Sequence, residues 1–177
     1  QNQSSGYFMA GGSNYRGNLV GTSPYYQMVN KYYPESGKFF SSYDLENASG
    51  VITLGREIAD ELFPDSAPLG ETITFYNQEN KFVFRIIGIM QEKDRGITGD
   101  LNENAYIPVS SYLNSISSNR YVNGYVAQAV SAEEASQAVD QIDFMLKKYT
   151  GDEDKFNLIS QDQLLDTISE VTGTMTL

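Results

Sequence analysis

The sequence predicts a mixed α+β fold, and three segments carry that prediction. A short apolar run at 51–54 is followed at once by residues with helical spacing. An alternating pair of segments at 72–76 and 81–89 is typical of a β-hairpin. A third segment at 131–151 has the amphipathic period of a helix and lies between two strand-like stretches. These segments predict that helices and strands pack together in one chain.

The first of these segments predicts a buried strand that turns directly into a helix. Val51–Leu54 is wholly apolar and ends at Gly55. Helical spacing then continues to Pro64, which stops the pattern; its apolar positions are Ile58, Ala59, Leu62 and Phe63. A helix this short is marginal alone, so we expect it to pack on the neighbouring strand.

The hairpin follows a turn at 65–70 that contains Pro68 and Gly70. Its second arm, Lys81–Ile89, has apolar residues on both faces. This composition predicts a central strand that is covered on both sides.

The N-terminal part predicts a strand at Tyr7–Ala10, a turn at 11–14 and a partner strand at Tyr15–Thr22. Ser23-Pro24 then begins a tyrosine-rich helix, whose side chains are Tyr25, Tyr26, Met28, Val29, Tyr32 and Tyr33. Such a helix could grip a sugar or peptide through its aromatic faces, or pack half-buried on the core. The second interpretation is favoured.

The polar stretch Met90–Asn104 predicts a surface loop. Asp100, Asn102 and Asn104 occupy the first three ligand positions of a calcium loop, but Ala105 replaces the required Gly and Ser111 the bidentate Glu. We therefore expect no calcium site, and surface loops of this kind often serve in recognition.

The C-terminal part predicts a β-α-β unit followed by a helix. Tyr121–Val130 alternates as a strand, and Ser131 with Glu134 forms a capping box for a helix that Gly151 ends. The expected buried face of this helix is Ala135, Val139, Ile142, Leu146 and Tyr149. Phe156–Ile159 is the second predicted strand, and a second capping box at Ser160 opens a helix over 161–172.

Composition excludes several functions. A net charge of −11 with only 12 Lys and Arg argues against nucleic acid as a partner. The sequence has no 18-residue apolar run, so this stretch of chain is not expected to span a membrane, and Gln1–Ser5 does not resemble a signal peptide. The absence of Cys leaves the redox compartment open.

The sequence lacks the residues of the common catalytic sites. There is no His, which removes Ser-His-Asp and Cys-His sites and most zinc sites, and there is no Walker A motif. We expect no enzyme activity, no cofactor and no metal site. An atypical hydrolase would need facing carboxylates, whereas Glu57, Asp60 and Glu61 lie on an expected exposed helix face.

The order and spacing of four segments resemble the MacB-like periplasmic core domain of MacB/FtsX-type ABC transporter permeases. The central segment reads L-G-x-x-x-A-x-x-L-F, P-x-G-x-x-I and a strand ending I-G-I. Asn18–Tyr26 (N-L-V-G-T-S-P-Y-Y), Gly37–Asp44 (G-K-F-F-S-S-Y-D) and Ala105–Val109 are similar to other segments of that family. The resemblance covers roughly residues 18 to 165.

The resemblance implies two subdomains. Residues 1–118 correspond to a middle, sabre-like α+β subdomain, and residues 119–177 to the second β-α-β unit of a porter-like subdomain. The first β-α-β unit of the porter-like subdomain would lie N-terminal to Gln1. A sheet edge left uncovered by its absence would favour self-association.

The resemblance also implies an extracytoplasmic, mechanical role at the cell membrane, periplasmic or extracellular. ATP hydrolysis in a separate cytoplasmic domain would move the membrane helices, and the motion would pass through 161–172 into this domain. Implied partners are a second permease copy in a homodimer or heterodimer, that ATP-binding domain, and an extracytoplasmic adaptor or a peptide or lipoprotein substrate.

Six residues are candidates for the partner or substrate surface: Tyr25, Tyr32, Asp94, Arg95, Asp100 and Asn102. A competing hypothesis is a secreted or surface module that binds carbohydrate or peptide, which rests on 13 Tyr and 9 Phe in the chain. That hypothesis requires aromatic side chains around a concave pocket rather than between core elements.

Overall fold

The computed structural model describes residues 1–160 except 65, 79, 96–98, 118 and 153–154, and it leaves the side chains of 132 and 133 undescribed. The chain forms two compact units, Gln1–Val126 and Ala127–Leu177. The strands are β1 (Asn2–Ala10), β2 (Ser13–Thr22), β3 (Pro34–Gly37), β4 (Val51–Leu54), β5 (Thr72–Asn77), β6 (Asn80–Met90) and β7 (Asn104–Pro108). The helices are α1 (Tyr26–Val29), α2 (Ser42–Glu46), α3 (Arg56–Leu62), α4 (Val109–Ser115) and α5 (Ala132–Thr150), with a 3₁₀ turn at Leu101–Glu103.

The sheet of the first unit closes on itself. Around the ring the strand order is β6-β4-β7-β2-β1-β5, and β5 pairs with β6 as well as with β1. The β2–β7 and β4–β6 pairs are parallel and the other pairs antiparallel. β3 pairs only with the far end of β6. The described part of the first unit is thus a closed six-stranded sheet with one short added strand.

The main core fills the inside of this closed sheet. Each of the six strands contributes alternate side chains that are almost fully buried, as the period of two requires. They are Phe8, Ala10, Leu19, Ile52, Leu54, Ile73, Phe75, Phe84, Ile86, Ala105 and Ile107. Helices α3 and α4 add Ile58, Ala59, Leu62 and Tyr112 to the same core.

A second core lies on the outer face of β2, β4 and β7. Val20, Val51 and Tyr106 point outward there and are covered by the chain segment that follows α1. We call Tyr26, Tyr32, Phe39, Phe40 and Tyr106 the aromatic cluster; Tyr26 lies 4.9 Å and Tyr32 6.2 Å from Tyr106 between ring centroids. The outer face of this part of the sheet is therefore buried.

The structure confirms the strand-to-helix segment and shows why glycine stands at its turn. Val51–Leu54 is buried throughout, and Gly55 precedes α3 and donates its N–H to the carbonyl of Asn104 at 2.8 Å. A Cβ on Gly55 would lie 2.3 Å from the Asn102 carbonyl oxygen and 2.5 Å from that of Asn104. Only glycine allows the backbones to approach this closely.

The hairpin is also confirmed, but the two-sided burial of its second arm is wrong. Phe84 and Ile86 are buried inside the closed sheet, whereas Val83 is 55% exposed and Arg85 is exposed on the other face. The prediction fails only for this first part of the strand, because Ile87 and Ile89 on the same predicted face are partly buried against the two cores.

The N-terminal strand begins earlier than predicted and the tyrosine-rich helix is shorter. β1 starts at Asn2 because it pairs along its whole length with β2. α1 ends at Val29, since Lys31 takes a left-handed φ of 47° that a helix cannot continue. Tyr32 then enters the core, where it is fully buried.

The two strands predicted in the C-terminal part are not formed. Residues 121–129 and 156–160 are irregular, because in the described part of the chain neither stretch has a strand partner to satisfy a ladder of hydrogen bonds. The helix between them is confirmed: the Ser131 hydroxyl accepts from Glu134 N–H, and Gly151 ends the helix with φ 66°. Tyr149, expected on its buried face, is 82% exposed. The helix predicted over 161–172 lies outside the described residues.

Replacing Gly55 tests the close approach at the strand-to-helix turn. Gly55→Ala is expected to lower the free energy of unfolding by about 1–3 kcal/mol, because the added methyl meets two backbone carbonyls that cannot move freely. Gly124→Ala is the control, since a Cβ there meets nothing within 4 Å, and its effect should stay within about 0.5 kcal/mol. Urea unfolding measures both, and equal effects would contradict the assignment.

Replacing Tyr32 tests whether its buried hydroxyl contributes to stability. Its buried hydroxyl has no hydrogen-bond partner among the described residues. Tyr32→Phe is therefore expected to leave the free energy of unfolding unchanged or to raise it by up to about 1 kcal/mol. Tyr32→Ala should cost about 3–5 kcal/mol through the lost ring. A clear loss in the Phe variant would mean that the hydroxyl is hydrogen-bonded, for example to a buried water.

Candidate partner-binding surfaces

The loop before β7 is held by its own side chains. Arg95 Nε lies 2.6 Å from Asp100 Oδ2, and Arg95 Nη2 lies 3.6 Å from Glu103 Oε1. Asn102 donates its side-chain amide to the Lys93 carbonyl at 2.6 Å and accepts from the Lys93 N–H at 3.0 Å. We call these five residues the Arg95 loop. Its outer end presents Arg95, which is mostly exposed, while the Asp100 side chain is only 8% exposed.

The charge state of Asp100 is set by opposing effects. Burial raises its pKa, while hydrogen bonds from the Asn102 N–H and from Arg95 lower it and outweigh the burial. The net pKa of Asp100 is below its ordinary value, and the same contact raises the pKa of Arg95. Asp100 is thus an anion at neutral pH and holds the loop through Arg95.

The polar side chains at the calcium-like positions of this loop have hydrogen-bond partners within the protein. Asn102 is engaged with Lys93, and Asn104 Oδ1 accepts from Asn18 Nδ2 at 3.1 Å. Carboxylate oxygens of Glu57, Asp100 and Glu103 do lie within 4.8 Å of one another. Arg95 supplies a positive charge to two of them, Asp100 and Glu103.

Tyr32 and Asn102 are buried, so neither presents its side chain to a partner in this structure. The Lys93 ammonium lies 5.4 Å from the centre of the Tyr32 ring, a cation–π distance that ties the Arg95 loop to the aromatic cluster. Burial raises the pKa of both Tyr32 and Tyr106, so both hydroxyls stay neutral. Asp94 is exposed.

Tyr25 lies in a separate open groove of about 340 Å³, which we call the N-terminal groove. Tyr25 is 63% exposed there and Tyr125 91%. The groove is lined by Gln1, Thr22, Ser23, Tyr25, Tyr26, Val29, Asn30, Val109, Val122, Gly124, Tyr125 and Val126. Tyr25 is therefore not part of the Arg95 loop, and the six candidate residues do not form one site.

One wall of the N-terminal groove was not anticipated from the sequence. Residues 121–124 run beside the start of β1, where Asn2 donates its side-chain amide to the Tyr121 carbonyl at 2.9 Å and accepts from the Asn123 N–H at 3.2 Å. Gln1 and Gly124 also exchange backbone hydrogen bonds. Asn2 is 2% exposed, and neither this burial nor its long-range partners could be predicted from the sequence.

Removing Arg95 tests the electrostatics of the Arg95 loop. In Arg95→Gln the pKa of Asp100 should rise, because burial then opposes ionisation with less compensation. A carboxyl with a lowered folded-state pKa contributes stability above its unfolded pKa and loses it as pH falls through the folded pKa. The acid loss of stability should therefore begin at a higher pH in the variant.

A carbon-detected NMR titration of the Asp100 carboxyl and acid unfolding measure the two effects. Arg120→Gln is the control, because Arg120 is an exposed arginine for which the structure shows no ion pair among the described residues. An unchanged Asp100 titration in Arg95→Gln would show that Arg95 is not its counter-ion.

The sequence matches a known protein family over most of its length. The family model described as the MacB-like periplasmic core domain matches residues 2–143. The macrolide export ATP-binding/permease protein MacB of Chlorobaculum tepidum is 28% identical over 148 residues, and that of Aggregatibacter actinomycetemcomitans is 27% identical over 175 residues. These alignments cover 81% and 98% of this chain but only 22% and 26% of the relatives. The chain thus spans about a quarter of the length of the curated relatives it matches.

Comparison with solved structures gives the same fold. The periplasmic region of MacB from Actinobacillus actinomycetemcomitans superposes with a TM-score of 0.71 at 25% identity, over 95% of this chain and 73% of that one. The extracellular domain of the noncanonic ABC-type transporter YknZ from Gram-positive bacteria has a TM-score of 0.69 at 18% identity, over 89% and 78% of the two chains, and supports the fold alone. In the described residues, no helix is both long and apolar enough to cross a membrane. By its family match and its fold, the chain belongs to the MacB-like periplasmic core domains.

Proposed function

We propose that this chain is the extracytoplasmic domain of an ABC transporter permease and that it passes ATP-driven movement of the membrane helices to a partner or substrate outside the membrane. The observation that carries the proposal is the family match over residues 2–143, supported by the superposition on the periplasmic region of a MacB protein. The domain itself does no chemistry in this account. ATP is bound and hydrolysed in a separate domain, since this sequence has no Walker A motif.

The first unit is suited to passing on a movement. Its closed sheet has a filled interior and, apart from β3, no free strand edge in the described residues. Packed interiors deform little, so a displacement applied at one end of such a unit reaches the other. What must change between nucleotide states is then the position of the whole unit, as in other rigid-body switches.

The two subdomains and their partners belong to the same proposal. Residues 1–118 are proposed as the middle subdomain and 119–177 as the second part of a porter-like subdomain, although the first compact unit extends to Val126. Partners are a second permease copy, the ATP-binding domain, and an adaptor or a peptide or lipoprotein substrate. The N-terminal groove with Tyr25, and the exposed Asp94 and Arg95, are the proposed contacts among the predicted residues.

The test uses the full transporter in a bilayer. The present chain has no Cys, so once any Cys elsewhere in the full transporter is replaced, a spin label can be placed singly at Tyr43→Cys in the first unit or Tyr149→Cys on α5, both exposed positions. Binding of a non-hydrolysable ATP analogue should shift the distance distribution between the labels of the two copies, because coupling requires two arrangements whose populations nucleotide changes.

The isolated 177-residue chain, labelled at the same positions, is the control and should not respond to the nucleotide. Distances in the full transporter that stay fixed at both positions, while ATP is still hydrolysed, would contradict mechanical coupling through this domain.

A further inference from the structure

The N-terminal groove is an uncharged surface on a strongly acidic chain. Charged residues make up 20% of the sequence, and the net charge is −11. Within the described residues, the lining of the groove contains no Asp, Glu, Lys or Arg side chain; the side chains there carry aromatic, aliphatic, hydroxyl or amide groups. A charged ligand would lose hydration in the groove and meet no side chain of opposite charge. The groove therefore favours an uncharged ligand.

Two tyrosine rings of the groove are largely exposed. Tyr25 directly precedes α1 and is 63% exposed, and Tyr125 belongs to the opposite wall and is 91% exposed. Neither ring is part of the two hydrophobic cores. A tyrosine combines a flat apolar face with a hydroxyl. Both rings are thus free to lie against an apolar face of a ligand.

A nearly buried hydroxyl inside the groove has no hydrogen-bond partner. Thr22 is the last residue of β2, is 5% exposed, and points outward like Val20 because side chains alternate along the strand. In the described part of the chain, the fully enclosed side-chain atoms that lack a partner are the hydroxyls of Tyr32 and Tyr106. The Thr22 hydroxyl, which also lacks one, is therefore accessible, and Thr22 lines the groove. It can donate to and accept from a ligand hydroxyl.

Backbone groups around the groove are already hydrogen-bonded. Gln1 and Gly124 bond to each other on one wall. On the other wall, the Tyr26 N–H donates to the Ser23 carbonyl at 3.1 Å. A peptide that binds by adding a strand needs free backbone groups on its receptor. Recognition in the groove is therefore left to rings, hydroxyls and amides of side chains.

We propose that the N-terminal groove binds a neutral saccharide, with Tyr25 and Tyr125 against the apolar faces of the sugar and Thr22 hydrogen-bonded to a sugar hydroxyl. A saccharide has both features that the groove can recognise, because C–H bonds make the faces of its rings apolar and hydroxyls surround them. Ser23 and Asn30 add a further hydroxyl and a side-chain amide to the lining. The volume of about 340 Å³ is at the small end of ligand pockets, which range from about 300 to 1,000 Å³.

This inference goes beyond the proposed function, since saccharide binding does not depend on coupling to ATP. Loss of nucleotide-driven movement would leave saccharide binding standing, and failure to bind a saccharide would leave the coupling standing. The two are tested by separate measurements.

The probes are three neutral trisaccharides, maltotriose, cellotriose and triacetylchitotriose, each titrated into the isotope-labelled 177-residue chain. At least one is expected to give saturable amide shifts that concentrate at Ser23, Tyr25, Gly124 and Tyr125. Trigalacturonate, an anionic trisaccharide, is the charge control. It should leave these amides unshifted, because no cationic side chain among the described residues lines the groove.

Aromatic variants identify the contacts. Tyr25→Ala and Tyr125→Ala should each raise the Kd about five- to tenfold through loss of a ring face, whereas Tyr125→Phe keeps the ring and should stay within about twofold. Tyr43→Ala is the matched control, because Tyr43 is 72% exposed on α2 and does not line the groove. All four variants should keep the wild-type melting temperature, since these side chains are exposed.

Thr22→Val separates binding from stability. It removes the hydroxyl at nearly constant volume, and because that hydroxyl has no partner among the described residues, the free energy of unfolding should not fall. The Kd should rise about three- to tenfold through the lost hydrogen bond to the sugar. An unchanged Kd in Thr22→Val would contradict the proposed contact.

Three further results would overturn the proposal. No saturable shift with any of the three neutral trisaccharides would remove the groove as a saccharide site. A Kd insensitive to both Tyr25→Ala and Tyr125→Ala would place the sugar elsewhere on the chain. A capped Ala-Phe-Ala-Phe peptide that shifts the groove amides, while the trisaccharides do not, would assign the groove to a peptide partner.

Discussion

The first unit depends on the pairing of β5 with both β1 and β6, which closes the sheet. Closure gives six strands two neighbours each and leaves only the short β3 with an unpaired side in the described residues. It also forces tight contacts where β1 meets β5: a Cβ on Gly6 would lie 2.2 Å from the Tyr76 carbonyl oxygen and 2.6 Å from the ring of Phe75. A strand residue without a side chain is what lets these backbones meet.

Closure of the sheet determines which surfaces of the domain can bind a partner. Interior side chains are used up in one core, so whatever the domain binds must lie on the outside of the sheet, at its ends or on the second unit. The chain between α1 and α2 covers part of the outside with the aromatic cluster, and Lys93 links that cover to the Arg95 loop. The N-terminal groove remains available. A rigid unit with distinct outer surfaces is compatible with a domain that moves as a body while it holds a partner.

The sequence predicted those helices and strands that depend on neighbouring residues. The strand at 51–54, helix α3, the hairpin and helix α5 were found because their hydrophobic periods and end signals lie within a few neighbouring residues. β3 and the first half of β1 were missed because polar residues form them and only distant partners, β6 and β2, hold them as strands. The strand predicted at 121–130 was wrong because its alternating pattern has no partner strand among the described residues.

The candidate surfaces show the same limit. The contact of Arg95 with Asp100 spans five residues and was within reach of the sequence, whereas the burial of Tyr32 depends on Tyr106, which is far away in the chain. Tyr7 and Tyr76 become neighbours only through the register of β1 and β5, which no single segment of the sequence could reveal. The family resemblance supplied the order of the segments, but not which side chains they leave exposed.

Thiol accessibility in the full protein would show on which side of the cytoplasmic membrane this domain lies. In the full protein, Tyr43→Cys places a thiol at a position that is 72% exposed, and Ile52→Cys places one in the core as a negative control. Spheroplasts treated with a membrane-impermeant maleimide should label Tyr43→Cys before lysis and leave Ile52→Cys unlabelled. Labelling of Tyr43→Cys only after the cytoplasmic membrane is broken would contradict the account.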